Sequence, residues 1–180
     1  MSNVNNIVPQ ALLPYAQFIT WVLVPDPKSK KPRKVPLGRS GAGAAWDRPN
    51  DFMTAEEAFT VYRQREHAGI GFFFTPADPF WFLDFDDAWV GGVMRPPAAR
   101  AYQLFHGAAY EVSQSGTGFH LIGSGTLGEH RNRNIELGCE LYSTRRFAAL
   151  TGRDMAGDAG VNFTGVLPGF LTEFDLGPAP

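Results

Sequence analysis

Apolar and polar residues change their spacing several times along the chain, and each change marks an element. "AQFITWVLV" (16–24) is nearly unbroken in aromatic and β-branched residues and predicts a strand, closed off by Pro25 and Pro27. The basic stretch that follows and the Pro- and Gly-rich segment 32–50 predict loop. Thr54 with Glu57 three residues later forms a capping box. It opens a helix in which Ala55, Ala58, Phe59 and Tyr62 share a face, expected to stop at Gly69. "GIGFFFT" and "FWFLDFD" predict two strands joined at "PADP" and paired as a hairpin. Pro96 and Pro97 begin a second helix, "AARAYQLFHG", expected to end at Gly107. Strands follow near 109–113, 119–123, 136–142 and 146–150, then a tail with a short helix around "GVLPGFLTEF". The chain has no internal repeat. The pattern implies a mixed α/β fold of the α+β kind, built on a mostly antiparallel sheet.

Composition sets the scale. At 180 residues, 44% hydrophobic and 13% aromatic, the chain can build one good core but not two generous domains. A single domain over 1–180 is expected, with room for two lobes. Apolar runs such as "FITWVLV" fall far short of the roughly 18 residues a membrane span needs, and "MSNVNN" lacks the charged-then-apolar pattern of a signal peptide. The expectation is a soluble protein of the cytoplasm with no membrane partner. Cys139, the single cysteine, excludes an internal disulfide and a cysteine-rich zinc site, in keeping with a reducing compartment.

The formal net charge of −2 gives no general basic field. The charges are segregated, however. Lys28, Lys30, Lys31, Arg33, Lys34 and Arg39 form one basic segment, and Arg131, Arg133, Arg145, Arg146 and Arg153 a later set. Such runs are ordinarily solvated loops. Brought together with acids, they would suit a metal-bound polyphosphate.

The acids stand out in "FWFLDFDDAW" (80–89), where three carboxylates interrupt a strand otherwise fit for burial. On a strand, Asp84 and Asp86 share a face with Cα atoms about 6.5–7 Å apart, while Phe85 and Asp87 face the other way. Carboxylates so close repel unless a proton or cation intervenes, and a hard divalent ion suits them. The ordinary alternative is a strand end whose acids reach water. In "SQSGTGFH" (113–120), Gly116 and Gly118 flank Thr117 in a tight turn. Free backbone N–H groups there would receive phosphate oxygens, helped by the hydroxyls of Ser115 and Thr117 and by His120. The ordinary alternative is a hairpin turn with a strand histidine satisfied by a neighbour. In "CELYSTRRF", alternation puts Glu140 and Tyr142 on one face, with Glu136 competing for the same role. Cys139 and Leu141 take the other face as core residues. Arg145 and Arg146 fall in a turn between strands, where either could form a simple ion pair with Glu140.

"LDFDD", "SQSGTGFH" and "ELYSTRRFAALTG", in this order and spacing, resemble the three motifs of the archaeo-eukaryotic primase superfamily, most closely the primase-polymerase domains of phages and plasmids. "YAQFITWVLVPD", "KVPLG", "AWDRPNDFMTAEEAF" and "GIGFFFTPADPFWFLDFDDA" extend the resemblance to roughly residues 15–152. It implies a two-lobed fold, with an N-terminal lobe of about 1–70 and an RNA-recognition-motif-like catalytic lobe of about 71–180. The implied activity is template-dependent nucleotidyl transfer by a DNA primase and polymerase. Asp84, Asp86 and Glu140 would be the catalytic, metal-binding acids, holding two Mg²⁺ or Mn²⁺ ions. His120, Ser115, Gly116, Thr117, Gly118, Lys34 and Arg146 would bind the incoming nucleotide, with Ser113, Tyr142 and Arg145 as further candidates. The implied partners are single-stranded DNA template and primer, deoxynucleoside or nucleoside triphosphates, and a helicase domain or protein. The setting would be phage or plasmid replication in a bacterial host.

One departure stands out: much of the superfamily has a serine two residues before the motif histidine, and that place here is Gly118. Nothing carries over to "GTLGEHRNRN" or beyond Gly152. Three other readings compete: a metal-dependent nuclease or phosphoesterase, a non-catalytic origin-binding or scaffold module, and a repair or end-joining polymerase.

Overall fold

The computed structural model describes residues 3–28 and 31–178, so Lys30 of the basic segment lies outside the described residues. The elements in chain order are β1 (Phe18–Val24), β2 (Arg33–Leu37), α1 (Ala55–Arg65), β3 (Gly69–Phe74), β4 (Phe80–Phe85), β5 (Trp89–Val90), β6 (Val93–Met94) and α2 (Pro96–Leu104). They continue with β7 (Ala109–Val112), β8 (Phe119–Ser124), β9 (Arg133–Asn134), β10 (Cys139–Tyr142), β11 (Arg146–Leu150) and α3 (Leu167–Glu173). Among the described residues no helix is long and apolar enough to cross a membrane.

Two antiparallel sheets carry the fold. The first has the order β11-β3-β1-β2 and the second β7-β8-β4-β10-β9, with β5 and β6 forming a separate small hairpin. This is the expected mixed α/β class with mostly antiparallel pairing. The sheets share an apolar layer. Phe18, Ile70, Phe72 and Phe74 from the first meet Phe80, Phe82 and Ile122 from the second, with Ala55 and Ala58 of α1 at its margin. On the far side of the second sheet, Trp81, Leu83, Phe85, Phe119, Leu121 and Leu141 pack on Ala101 and Phe105 near α2 and on Phe170 and Phe174 near α3. The far side of the first sheet buries Ile19, Trp21 and Phe73 with Phe52 and Ala149. The expected lobe boundary near residue 70 falls inside β3, whose second neighbour, the edge strand β11, comes from late in the chain.

Several expectations need correction. β3 and β4 are not a hairpin: β3 lies between β1 and β11, and β4 between β8 and β10. Both edges of each strand are taken by other partners, so the "PADP" link carries the chain from one sheet to the other. Asp78 fastens that link. Its Oδ2 accepts from the N–H of Thr75 (2.7 Å) and from Gln17 Nε2 (2.8 Å), and its Oδ1 from the N–H of Phe80 (3.0 Å). Part of the predicted loop 32–50 is strand β2. It lies at a sheet edge, where Pro36 is tolerated although it has no N–H to donate. α1 keeps its capping box but ends at Arg65, with Glu66 in the left-handed region at φ 53°, and Gly69 opens β3 instead. β10 begins at Cys139, so Glu136 sits exposed in the preceding turn and does not share the strand face of Glu140.

Candidate functional site

Strand register brings the predicted acids and the histidine together. Asp84 on β4 pairs directly with Glu140 on β10 and, on its other side, with His120 on β8. Arg133 of β9 lies beyond Glu140, and Glu111 of β7 beyond His120. One transverse row therefore crosses five strands: Arg133, Glu140, Asp84, His120, Glu111. Because Leu83 and Phe85 point into the helix-covered layer, Asp84 points with Phe82 toward the first sheet. Asp86, expected on the same strand, falls one residue past the end of β4, where its N–H donates to the carbonyl of Gly138 (2.9 Å).

The row borders two cavities. A cleft of about 340 Å³ between the sheets is lined by Arg33 and Lys34 of β2, Phe82, Asp84, His120, and Arg146 with its successors on β11. A neighbouring cavity of about 400 Å³ holds Asp86, Glu140, Arg95 and Arg133. Lys34 and Arg146, predicted from distant segments, are thus delivered to the acids by the first sheet. A third cavity of about 490 Å³, around Thr75, Ser124 and Thr144, lies at the opposite end of β4 and β8 and contains none of the predicted residues.

The electrostatics follow from burial. Desolvation pushes the Asp84 carboxyl above its ordinary range. His120 and Lys34 oppose that shift, and the nearby charges of Asp86 and Glu140 add to it. Burial likewise lowers Lys34, with Asp84 pulling it back and Arg146 pushing it further down. Glu140 Oε2 accepts from the Tyr142 hydroxyl (2.9 Å) and Arg146 Nη2 (3.1 Å), and the Arg146 guanidinium lies 4.6 Å from the centre of the Tyr142 ring. The Tyr142 hydroxyl is raised by burial, with the hydrogen bond to Glu140 adding to the shift and Arg146 opposing it. Arg145 goes elsewhere. In the left-handed region at φ 59°, it stacks over Trp46 at 4.8 Å, on the outer side of the first sheet.

The glycine turn is more self-contained than its sequence predicts. The N–H of Gly116 donates to the carbonyl of Ser113, that of Thr117 to Ser115 Oγ, and that of Gly118 to Ser113 Oγ (3.2 Å). These three N–H groups are spent within the turn. The hydroxyls of Ser113, Ser115 and Thr117 form a chain at 3.1 and 3.0 Å. A Cβ at Gly118 would run into the carbonyl oxygen of Phe85, so this position cannot hold a serine without moving β4. Of the remaining basic residues, Arg39 pairs with Glu57 and Arg131 with Asp175, away from the cleft.

Glu111 was missed by the sequence reading. Only 3% exposed, it lies 2.7 Å from His120 Nδ1 and accepts from the N–H groups of Thr151 and Gly152, both at 2.9 Å. The signal was present. A β-hairpin closed between Val112 and Phe119 puts Glu111 opposite His120.

The carboxylate chemistry suits a hard divalent cation, and backbone pairing places Asp84 and Glu140 side by side. The side chains as they stand are turned to protein partners, Glu140 to Arg146 and Asp84 to His120 (3.6 Å). Among the described residues no three His, Cys, Asp or Glu side chains converge on one point.

Fold and site together define a mixed α/β protein with a carboxylate and histidine row facing a cleft whose opposite wall is basic. No family model matches the chain. The chain is 28% identical over 150 residues to a protein named DNA Primase-polymerase from Nitratiruptor phage NrS-1, covering 79% of this chain and 20% of that protein. That likeness supports a relationship to primase-polymerases, and the chain spans about a fifth of the length of this curated relative.

Proposed function

We propose that this chain is a primase-polymerase catalytic unit of the archaeo-eukaryotic primase superfamily, adding deoxynucleotides or nucleotides to a primer or to an initiating nucleotide on single-stranded DNA. The observation that carries the reading is the meeting of Asp84, Glu140 and His120 in adjacent register with Lys34 and Arg146 from the opposite sheet. Acids on one wall of a cleft and fixed cations on the other suit a metal-bound polyphosphate.

In this reading Asp84, Asp86 and Glu140 hold Mg²⁺ or Mn²⁺. Two such ions, when bound, lower the pKa of an attacking 3′-hydroxyl and neutralise the leaving pyrophosphate. Glu140 would help to hold the cation, and Arg146, now paired with Glu140, would then be available to the phosphates. His120, Lys34 and Arg146 then supply donors fixed in place where negative charge accumulates. The hydroxyls of Ser113, Ser115 and Thr117, more than the occupied N–H groups of their turn, contact the triphosphate. Template, primer and a helicase are the partners of this reading.

A gel assay tests it. Single-stranded template, primed and unprimed, is incubated with each nucleotide type and either metal. Extension that depends on template sequence is expected. Shortening of the strands without any extension would favour a nuclease and overturn the proposal.

A further inference from the structure

Arg133 and His120 flank the Glu140–Asp84 pair from opposite sides. The other cations are divided in the same way. Lys34 and Arg146 line the cleft with Asp84 and His120, while Arg95 and Arg133 line the neighbouring cavity with Asp86 and Glu140. Transfer to a nucleotide needs the attacking oxygen and the leaving pyrophosphate roughly in line across the phosphorus. With the pyrophosphate leaving toward Lys34 and Arg146, the strand that carries the attacking 3′-hydroxyl approaches from the other side, past Arg95 and Arg133.

Surface arginines are ordinarily just solvated, and two observations argue against that here. Arg100, Arg131 and Arg146 are each tied to an acid. Among the described residues Arg95 and Arg133 make neither an ion pair nor a side-chain hydrogen bond, although both share a cavity with carboxylates. Their donors remain for an external anion. The second observation is apolar. Ile135, Val93 and Val90 are the most exposed large hydrophobic side chains among the described residues, at 78%, 71% and 68%. All three lie within five residues of these arginines. Ile135 is in the turn between β9 and β10, and the two valines are on the β5–β6 hairpin, whose ends run into the cavity at Asp87 and Arg95. A nucleic-acid strand is anionic along its backbone and apolar on its base faces, so it fits cations bordered by apolar side chains. A free phosphate would need the cations alone.

We propose that this cavity and its apolar rim are the primer-strand site: Arg95 and Arg133 hold backbone phosphates close to the 3′ end, Ile135, Val90 and Val93 lie under its bases, and the 3′-hydroxyl is thereby presented to the acids. This rests on the primase-polymerase reading for the reaction, but not for the binding of a DNA strand.

A labelled primer annealed to a longer template is titrated with the protein without nucleotide, and its anisotropy is read over a range of salt. Each phosphate contact adds roughly 0.7–0.9 to the slope of log K against log salt. Arg133→Ala, at an exposed position, should lower the slope by about that amount, and Arg95→Ala with Arg133→Ala by about twice as much. Arg95→Lys with Arg133→Lys should keep it. In extension assays KM for the primed template should rise about tenfold in Arg133→Ala, the worth of one hydrogen bond to a charged group, with nucleotide KM unchanged. Arg146→Ala should show the reverse. An unmodified protein that binds no primed template overturns the proposal. So does an unchanged slope or an unchanged primed-template KM in Arg133→Ala, or a rise in its nucleotide KM instead. If the slopes behave as stated and the unmodified protein extends no primer with any nucleotide, the strand site stands and it is the primase-polymerase reading that fails.

Discussion

Glu140 and Asp84 face each other directly across the β10–β4 pair. Two carboxylates in that relation are destabilising for a sheet. The structure offsets them with Arg133 beside Glu140, His120 beside Asp84, and Lys34 and Arg146 reaching over from the first sheet. A fold that only needed a stable sheet would place neutral residues at both positions.

Asp84→Asn should therefore abolish nucleotide incorporation while raising thermal stability near neutral pH. Because burial raises the folded-state value of Asp84, the folded protein binds this proton more tightly than the unfolded chain. The stabilisation belongs to the protonated form and is lost as pH rises through the raised folded value. The Tm advantage of Asp84→Asn should accordingly be small at about pH 4, near the ordinary aspartate value, and grow toward about pH 8. An advantage that shrinks with rising pH would contradict this account of the site.

The two neighbouring arginines should separate cleanly. Arg146 pairs with Glu140 and lines the cleft, whereas Arg145 lies over Trp46. Arg146→Ala should raise nucleotide KM and cost less than about 1 kcal/mol of stability, since the ion pair is half-exposed. Arg145→Ala should leave KM unchanged. Steady-state kinetics on both variants checks the assignment.

This pair also shows what a sequence can convey. Alternation predicted the faces of Asp84, Glu140 and Tyr142, because a period of two along a strand is a local property. It could not decide between Arg145 and Arg146, since a single left-handed residue at Arg145 redirects the chain between sheets. Nor could it show that β3 and β4 part company, or that Arg33–Leu37 forms an edge strand, because pairing partners are set by tertiary packing. Glu111 escaped for a different reason. One acid in a four-residue strand carries no periodic signal until its partner across the hairpin is considered.

The departure at Gly118 has a measurable consequence. Placing a serine there with Gly118→Ser should destabilise the protein by about 1–3 kcal/mol, as overpacking does, because the new Cβ would meet the carbonyl of Phe85 on the strand that bears Asp84. Chemical denaturation would register the loss. A neutral result would mean that the β4–β8 approach is looser than the structure describes.

Cys139 offers a probe of the strand that carries Glu140. Its side chain is 1% exposed within the layer beneath α3, and burial pushes its thiol up to about 11. At pH 8 only on the order of one thiol in a thousand would be the reactive thiolate, even if reagent could reach it. The folded protein should resist a thiol reagent and react only as it opens, at a rate that denaturant increases. β10 and its neighbour β9 must separate from the core for that to occur, so protection of Cys139 reports that Glu140 is held in register. Rapid modification under native conditions would place β10 among the loosely held parts of the fold and remove the rigid support that the acid row requires.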